Sequence, residues 1–211
     1  MAVITDHGIP VTSAQELEEI IGTPEQRTAN KARHRLHEVD RAWLAAAPLA
    51  FVATSDERGR LDVSPKGDPA GFATVLDDTT IAIPERTGNR RADGFHNILR
   101  NPHVGLLFLI PGRGDTLRIN GRATIVRDAP FLDGMVVRGH RPALALLVDI
   151  DEVYFHCSKA FLRSNAWQPE TWAPDAAPRR ALIAKAVERQ GDPLDELDEY
   201  YGPSYADRIY R

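Results

Sequence analysis

Three segments of this 211-residue sequence combine cationic, hydroxyl and glycine residues at spacings that suit an anionic ligand. The first is Arg86-Thr87-Gly88-Asn89-Arg90-Arg91, which lies between a predicted strand and a predicted helix. Backbone N–H groups at such a junction favour anions, and a guanidinium can add a bidentate contact to a phosphate. We therefore predict a phosphate site that includes Arg86, Asn89, Arg90 and Arg91. The alternative is a solvated basic loop.

The second segment is the end of a predicted strand, where Ser64, Pro65 and Lys66 precede Gly67. Proline has no N–H to give to a strand ladder, so the chain here is stiff and outward-facing. A rigid strand end that carries a hydroxyl and an ammonium can line a flat polar ring. Taken alone, the segment favours an ordinary loop over a ligand site.

The third segment contains Lys159, Arg163 and Ser164, followed by Trp167. Lys159 and Arg163 are four residues apart, so on a helix they share a face and repel each other. An anionic ligand would relieve that repulsion. The alternative is a pair of surface cations whose aliphatic stems lie along the protein.

Other kinds of site receive little support. The sequence has no GxGxxG, no GxxxxGK[ST] and no GxSxG motif, so Rossmann, P-loop and nucleophile-elbow sites are not indicated. His34 and His37 are three residues apart on a predicted helix, but no third metal ligand is evident. We expect no metal site. The single cysteine, Cys157, follows an apolar strand, and we expect it to be buried and structural.

The N-terminal region, residues 1–47, has the pattern of helices. Ser13 has capping-box spacing to a glutamate, which predicts a helix that ends near Gly22. Thr23, followed by proline, predicts a second helix start, and Pro48 ends the helical pattern. The apolar residues at helical spacing before that proline are Leu36, Val39, Trp43 and Leu44.

Short apolar runs separated by polar turns follow, which is typical of antiparallel strands. The predicted strands are residues 49–54, 61–64, 72–76, 79–83, 104–110, 116–126 and 145–156. Short helices are predicted over 91–100 and 130–138. Many strands with tight connections favour a small barrel or sandwich.

Residues 157–211 return to a helical pattern, with one or two turns over 158–164 and a helix over 179–189. We therefore divide the chain into an N-terminal helical arm (1–47), a barrel (48–168) and a C-terminal helical extension (169–211). The net charge is −4 and the pI about 6.0, so nucleic acid is not an expected partner. A lone cysteine, no signal-peptide pattern and no long apolar run predict a cytoplasmic protein that does not cross a membrane.

Residues 51–167 closely resemble the pyridoxamine 5′-phosphate oxidase-like family, the FMN-binding split barrels. The resemblance is carried by FVATSDERGRLDVSPKGDPAGF, TIAIPERTGNRRADGFHNILRNPHVGLLFLIPG, LRINGRA and VYFHCSKAFLRSNAW. It implies a mainly β fold (α+β), an antiparallel split β-barrel with N-terminal and C-terminal helices. It also implies a homodimer in which the partner subunit completes each of two FMN sites.

The resemblance also assigns roles to the segments. The loop of residues 89–91 would hold the FMN phosphate, and residues 64–66 would lie along the isoalloxazine. The substrate signature of authentic pyridoxamine phosphate oxidases is a Trp-Arg pair and a further Arg. Here Gln168 follows Trp167 and Ala173 follows Trp172, so we expect a different substrate.

We therefore predict an FMN-dependent oxidoreductase that acts on a small organic molecule. The flavin itself performs the electron transfer, so the absence of a visible acid–base dyad is compatible with catalysis. Three alternatives remain: a non-catalytic flavin- or cofactor-binding protein, a deazaflavin-dependent reductase, and a dimer whose cationic loops bind nothing specific.

Overall fold

The structure is a computed structural model, and it describes residues 8–210. These residues form two compact units, one up to residue 32 and one from residue 33 onward. The units are described separately below. The finer division into arm, barrel and C-terminal extension at residues 47 and 168 stays a prediction.

The first unit contains two short helices. Helix α1 spans Ala14–Ile21, and the Ser13 hydroxyl caps it by accepting a hydrogen bond from the Glu16 N–H (3.1 Å). Gly22 ends it with a positive φ of 81°, so the predicted first helix is confirmed. Helix α2, Gln26–Ala29, begins later than predicted because Glu25, rather than Thr23, is the last extended residue before it.

In the second unit, helix α3 spans Glu38–Ala46. The chain before it is not helical: the backbone of Arg33 pairs with Val153 of the last long strand, and bends follow at His34 and Arg35. The prediction that His34 and His37 lie on one helix was therefore wrong. His37 is the N-cap of α3, where its Nδ1 accepts a hydrogen bond from the Val39 N–H (3.4 Å).

An ion pair between the half-buried Arg33 and the buried Asp40 attaches α3 to the segment before it. Asp40 is fully buried, and one of its oxygens accepts a hydrogen bond from Arg33 Nη2 at 2.8 Å. The same carboxylate accepts the His37 N–H at 2.7 Å. The hydrogen bond to Asp40 raises the pKa of the Arg33 guanidinium. The pair fixes where α3 begins.

Seven strands form one antiparallel sheet in the order β2-β1-β5-β6-β7-β4-β3, and the sheet is not closed. The predicted antiparallel split-barrel fold is confirmed. Its strands are β1 (Leu49–Ser55), β2 (Leu61–Gly67), β3 (Thr74–Val75), β4 (Thr80–Pro84), β5 (His103–Leu109), β6 (Thr116–Arg127) and β7 (Leu144–His156).

One face of the sheet carries the core. Every second residue of β1 and β5 points inward, including Val52, Leu106 and Phe108. Trp43 and Leu44 of α3 pack on the same cluster. Burial of each of these side chains contributes roughly 1.5–3 kcal/mol, so the core holds the site-bearing strands in a fixed arrangement.

The remaining helices are short. They are α4 (Asp93–Ile98), α5 (Lys159–Arg163), α6 (Arg180–Val187) and α7 (Leu194–Tyr200). The predicted helix over 130–138 is a 3-10 segment, Pro130–Met135, and α6 and α7 share a small core of Ala181, Ala184 and Leu197. Within residues 8–210, none of the helices has the length and apolar character needed to span a bilayer.

Strand β2 lies at one edge of the sheet and has two different faces. Leu61, Val63 and Pro65 are exposed, whereas Asp62, Ser64 and Lys66 are half-buried on the other face. Because successive strand residues point to opposite faces, the polar and apolar residues are separated automatically. One face of β2 is therefore available for an anionic ligand and the other for an apolar contact.

We predict that Gly121→Ala destabilises the fold by at least about 2 kcal/mol, within the range for overpacked sites. Gly121 lies at the β-bulge of β6, and a Cβ there would be 2.1 Å from the Asp149 carbonyl oxygen. Gly134→Ala is the control, since a Cβ at Gly134 meets nothing within 4 Å. Urea unfolding measures both variants, and equal losses of stability would contradict the prediction.

Candidate functional site

Two cavities lie on either side of the loop that follows β4. The first has a volume of about 570 Å³, within the range of roughly 300–1,000 Å³ typical of small-molecule sites. It is lined by the polar face of β2, the loop and the start of α4. Two of the three segments that the sequence predicted to bind an anionic ligand thus meet here.

The wall formed by β2 is polar and already ordered. The Ser64 hydroxyl donates to Asp62 Oδ2 at 2.7 Å. The Lys66 ammonium forms an ion pair with Glu85 and lies 5.1 Å from the centre of the Phe95 ring. Lys66 is therefore held at the cavity wall, with its charge already partly matched.

A tight turn fixes where β2 begins. Asp56 accepts hydrogen bonds from the backbone N–H of Arg58 and of Arg60, each at 2.9 Å, and from Arg60 Nε at 2.7 Å. These bonds, led by the one from the Arg60 backbone, lower the pKa of Asp56 to about 2. The turn thus keeps its anchoring charge at every pH above that value, which fixes the register of β2.

The loop exposes unused backbone donors. Within the described chain, the N–H groups of residues 87–90 have no hydrogen-bond partner, and Arg90 and Ala92 have positive φ angles of 63° and 52°. Successive free N–H groups in such conformations form anion-binding concavities. Helix α4 begins only at Asp93 and has six residues. The donors therefore belong to the loop and not, as predicted, to the helix N-terminus.

Arg91 and Arg90 point to different sides of this loop. Arg91 lines the first cavity, where its guanidinium pairs with Asp93 and its backbone N–H donates to Asn89 Oδ1 at 3.0 Å. Arg90 lines the second cavity and pairs with no carboxylate among residues 8–210. The two arginines are therefore not interchangeable, although they are adjacent in sequence.

Arg86 lines the first cavity, but its guanidinium is already engaged. Its Nε donates to Asp68 Oδ2 at 2.5 Å, and its Nη2 donates to the Met135 carbonyl oxygen at 2.7 Å. The Asp68 side chain is fully buried, and its other oxygen accepts a hydrogen bond from the Tyr210 hydroxyl. That hydrogen bond, with burial, raises the pKa of Tyr210. Arg86 thus anchors the loop to the end of β2 and to the C-terminal segment.

The second cavity, of about 420 Å³, lies across the loop from the first. Its walls include Arg90, Arg141, His140 and Tyr210, together with residues 142–144 that lead into β7. The loop residues Glu85–Asn89 line both cavities. A ligand in either cavity would therefore contact the same stretch of backbone.

The third predicted segment lies elsewhere in this chain. Lys159, Arg163 and Ser164 line neither cavity. Helix α5 is instead held by stacking of Phe161 on Trp167, whose rings are 5.7 Å apart, and by Trp167 Nε1 donating to the Arg113 carbonyl oxygen at 2.7 Å. Binding of a ligand by this segment stays a prediction.

Of the predicted residues, the structure brings six to the first cavity: Ser64, Pro65, Lys66, Arg86, Asn89 and Arg91. Sequence reasoning missed Asp68 and Tyr210, which anchor Arg86. Asp68 adjoins the predicted strand end, but nothing in the sequence signals that Tyr210 reaches it. Cys157 was predicted to be buried but is exposed, because β7 ends one residue earlier. Residues 8–210 contain no group of three or more potential metal ligands.

Comparison with known proteins adds a family match. The family described as pyridoxamine 5′-phosphate oxidase matches residues 36–157. No curated protein matches the sequence.

Several solved structures are similar to this chain. HupZ from Group A Streptococcus is 20% identical, covers 56% of this chain and 91% of its own, and gives a TM-score of 0.45. An FMN-binding protein from Syntrophomonas wolfei is 12% identical over 56% of this chain and 89% of its own, with a TM-score of 0.43. General Stress Protein 26 from Bacillus anthracis is 17% identical over 54% and 88%, with a TM-score of 0.38.

We predict that Asp68→Asn lowers the free energy of unfolding by about 3 kcal/mol, because it leaves the Arg86 charge buried without a counter-charge. Asp133→Asn is the matched control. Asp133 also pairs with an arginine, Arg141 at 2.5 Å, but its side chain is 74% exposed, so its loss should cost less than about 1 kcal/mol. Urea unfolding at pH 7 compares the two, and similar losses would show that the Asp68 pair is not structural.

Proposed function

Since the matched residues are more than half of the 211, the chain belongs to the pyridoxamine 5′-phosphate oxidase family, and we propose that it is an FMN-dependent oxidoreductase that acts on a small organic molecule. One observation carries this proposal. The polar face of β2 and the free backbone donors of residues 87–89 meet in a single cavity of about 570 Å³.

The phosphate of FMN fits the loop better than any other part of the cavity. Residues 87–90 offer unpaired N–H groups, and Arg91 adds a guanidinium whose present partner, Asp93, is exposed. An exposed pair of this kind is worth roughly 0–1 kcal/mol. A charge-assisted hydrogen bond to phosphate is worth roughly 1.5–3 kcal/mol. Exchange of Asp93 for the phosphate as the partner of Arg91 is therefore favourable in free energy.

The strand end supplies the second part of the site. Ser64 and Lys66 face the cavity, and Pro65 leaves the outer backbone of this edge strand without an N–H. In the proposal these residues lie along the flat ring of the flavin and orient it. Flavin, when bound, supplies hydride and electron transfer, so the protein's own residues bind and position rather than act as acid or base.

A homodimer is part of the proposal. The apolar strands β5 and β7 bury much of their surface in the core of the same chain. Among the strands, β2 carries the large exposed apolar side chains, since Leu61 is 78% and Val63 is 61% exposed. We propose that a second copy covers this face, and that Lys159, Arg163 and Ser164 reach the cavity from that copy.

We predict that Val63→Asp converts the dimer to a monomer, because a charge on this face would be buried without a partner in both copies. Val187→Asp is the control, since Val187 is similarly exposed (70%) but lies at the end of α6. Sedimentation velocity at micromolar concentration distinguishes the two species. A wild-type protein that sediments as a monomer would remove this part of the proposal.

We predict that Arg91→Ala weakens FMN binding about tenfold and leaves riboflavin binding nearly unchanged, because only FMN carries the phosphate. A loss of about 1.4 kcal/mol corresponds to this factor, and it is the phosphate hydrogen bond minus the weak pair it replaces. Arg100→Ala is the charge-matched control, since Arg100 is exposed and lines neither cavity.

Flavin fluorescence quenching measures both ligands on all three proteins. Equal affinities of the wild type for FMN and riboflavin would contradict the phosphate site. Reduction of the bound flavin by NADH or NADPH, followed by reoxidation, tests the oxidoreductase assignment separately. A protein that binds FMN but cannot be turned over would be a flavin-binding protein only.

A further inference from the structure

We infer that the second cavity is a binding site for a small planar molecule that carries one anionic group. The inference rests on the proposed function in one respect: its occupant would lie beside the loop that holds the flavin phosphate. Three features of the cavity support the inference: its aromatic and aliphatic wall, its uncompensated positive charge and its shared boundary with the first cavity.

The wall suits a flat, largely apolar ligand. The rings of His140 and Tyr210 are nearly parallel, with an angle of 25° between their planes and 6.3 Å between their centres. Pro142, Ala143 and Leu144 continue the wall toward β7. Small-molecule sites are typically apolar with a few fixed polar groups, and a volume of about 420 Å³ suits a ligand of one or two rings.

The C-terminal segment is built into this wall. Tyr210 is held by its hydroxyl on the buried Asp68, and the Arg86 and Arg138 guanidiniums lie 5.6 and 5.4 Å from its ring centre. Arg138 is brought there by a tight turn, in which Val137 and His140 exchange two backbone hydrogen bonds. The wall is thus assembled by side chains that are already fixed.

The charges around the cavity leave a positive surplus. Arg86 is matched by Asp68, Arg141 by Asp133, and Glu85 by Lys66. In the part of the chain that the structure describes, Arg90 and Arg138 pair with no carboxylate. Arg90 lines the cavity, whereas Arg138 lies against the Tyr210 ring and is not part of the lining. The unmatched Arg90 guanidinium favours an anionic group at this position.

The shared boundary links the two cavities. Residues 85–89 face the first cavity on one side and the second on the other. A ligand in the second cavity therefore touches the loop that, in the proposed function, holds the flavin phosphate. This places the ligand beside the phosphate end of the flavin site.

The test uses the full chain saturated with FMN, so that the first cavity is occupied, and two probes of equal shape. 2-Naphthoate carries one carboxylate, and 2-naphthamide is its neutral analogue. Calorimetric titration is expected to show at least tenfold tighter binding of the naphthoate. Arg90→Ala is expected to weaken naphthoate binding about tenfold or more, since one charge-assisted hydrogen bond is lost. Arg141→Ala should act in the same direction.

Arg127→Ala is the matched control because Arg127 is highly exposed, forms an ion pair with the neighbouring Asp128 and lines neither cavity. It should bind naphthoate as the wild type does. Equal affinities for the two probes, or naphthoate binding that is insensitive to Arg90, would overturn the inference. The same holds if naphthoate binds only flavin-free protein, because it would then occupy the first cavity.

The two proposals can fail independently. A protein that does not bind FMN at all fails the proposed function, and the same titrations on flavin-free protein then decide the second cavity alone. Conversely, if Arg90→Ala weakens FMN binding and leaves naphthoate binding unaffected, Arg90 belongs to the flavin site and the second cavity is not a ligand site.

Discussion

The arrangement of the candidate site depends on one buried carboxylate. Asp68 has no exposed side-chain surface, and it joins three segments that are distant in sequence: the end of β2, Arg86 in the loop after β4, and Tyr210 near the C-terminus. A buried carboxylate is stable only when its charge is matched and its oxygens are hydrogen-bonded. Because Asp68 must find these partners, both the loop and the C-terminal segment are held against β2.

The loop fixed in this way separates two cavities of different character. The first is polar and contains unused backbone N–H groups, whereas the second has an aromatic and aliphatic wall and one unmatched guanidinium, that of Arg90. Adjacent arginines serve opposite sides because Arg90 and Ala92 have positive φ angles. A change of backbone direction at each of these residues turns consecutive side chains away from a common face.

The strengths of the ion pairs divide the cations by role. The Arg86 pair is buried and would leave an uncompensated charge if broken, so Arg86 is suited to holding the structure. The Arg91 pair is exposed and is worth little, so Arg91 is free to exchange its partner for a ligand. Lys66 lies between these extremes, with both members of its pair partly buried. Cationic side chains are therefore suited to different roles according to how deeply their ion pairs are buried.

The sequence by itself determined the strands, the hairpins and the polar strand end, because these depend on local alternation and on turn residues. Ser13 and Gly22 bound α1 as their types predict, and the motifs around residues 64–66 and 86–91 indicated the family and the position of the first cavity. These features depend only on neighbouring residues or on the order of motifs along the chain.

Only the tertiary structure decided the rest, because it depends on contacts between distant residues. The break before α3 arises from backbone pairing of Arg33 with Val153, which overrides a helical pattern. The separation of Arg90 from Arg91 depends on positive φ angles at Arg90 and Ala92, which neither arginine nor alanine prefers. The reach of Tyr210 to Asp68 spans 142 positions of sequence. No local pattern encodes such a contact, since its stability comes from a buried charge that exists only once the chain has folded.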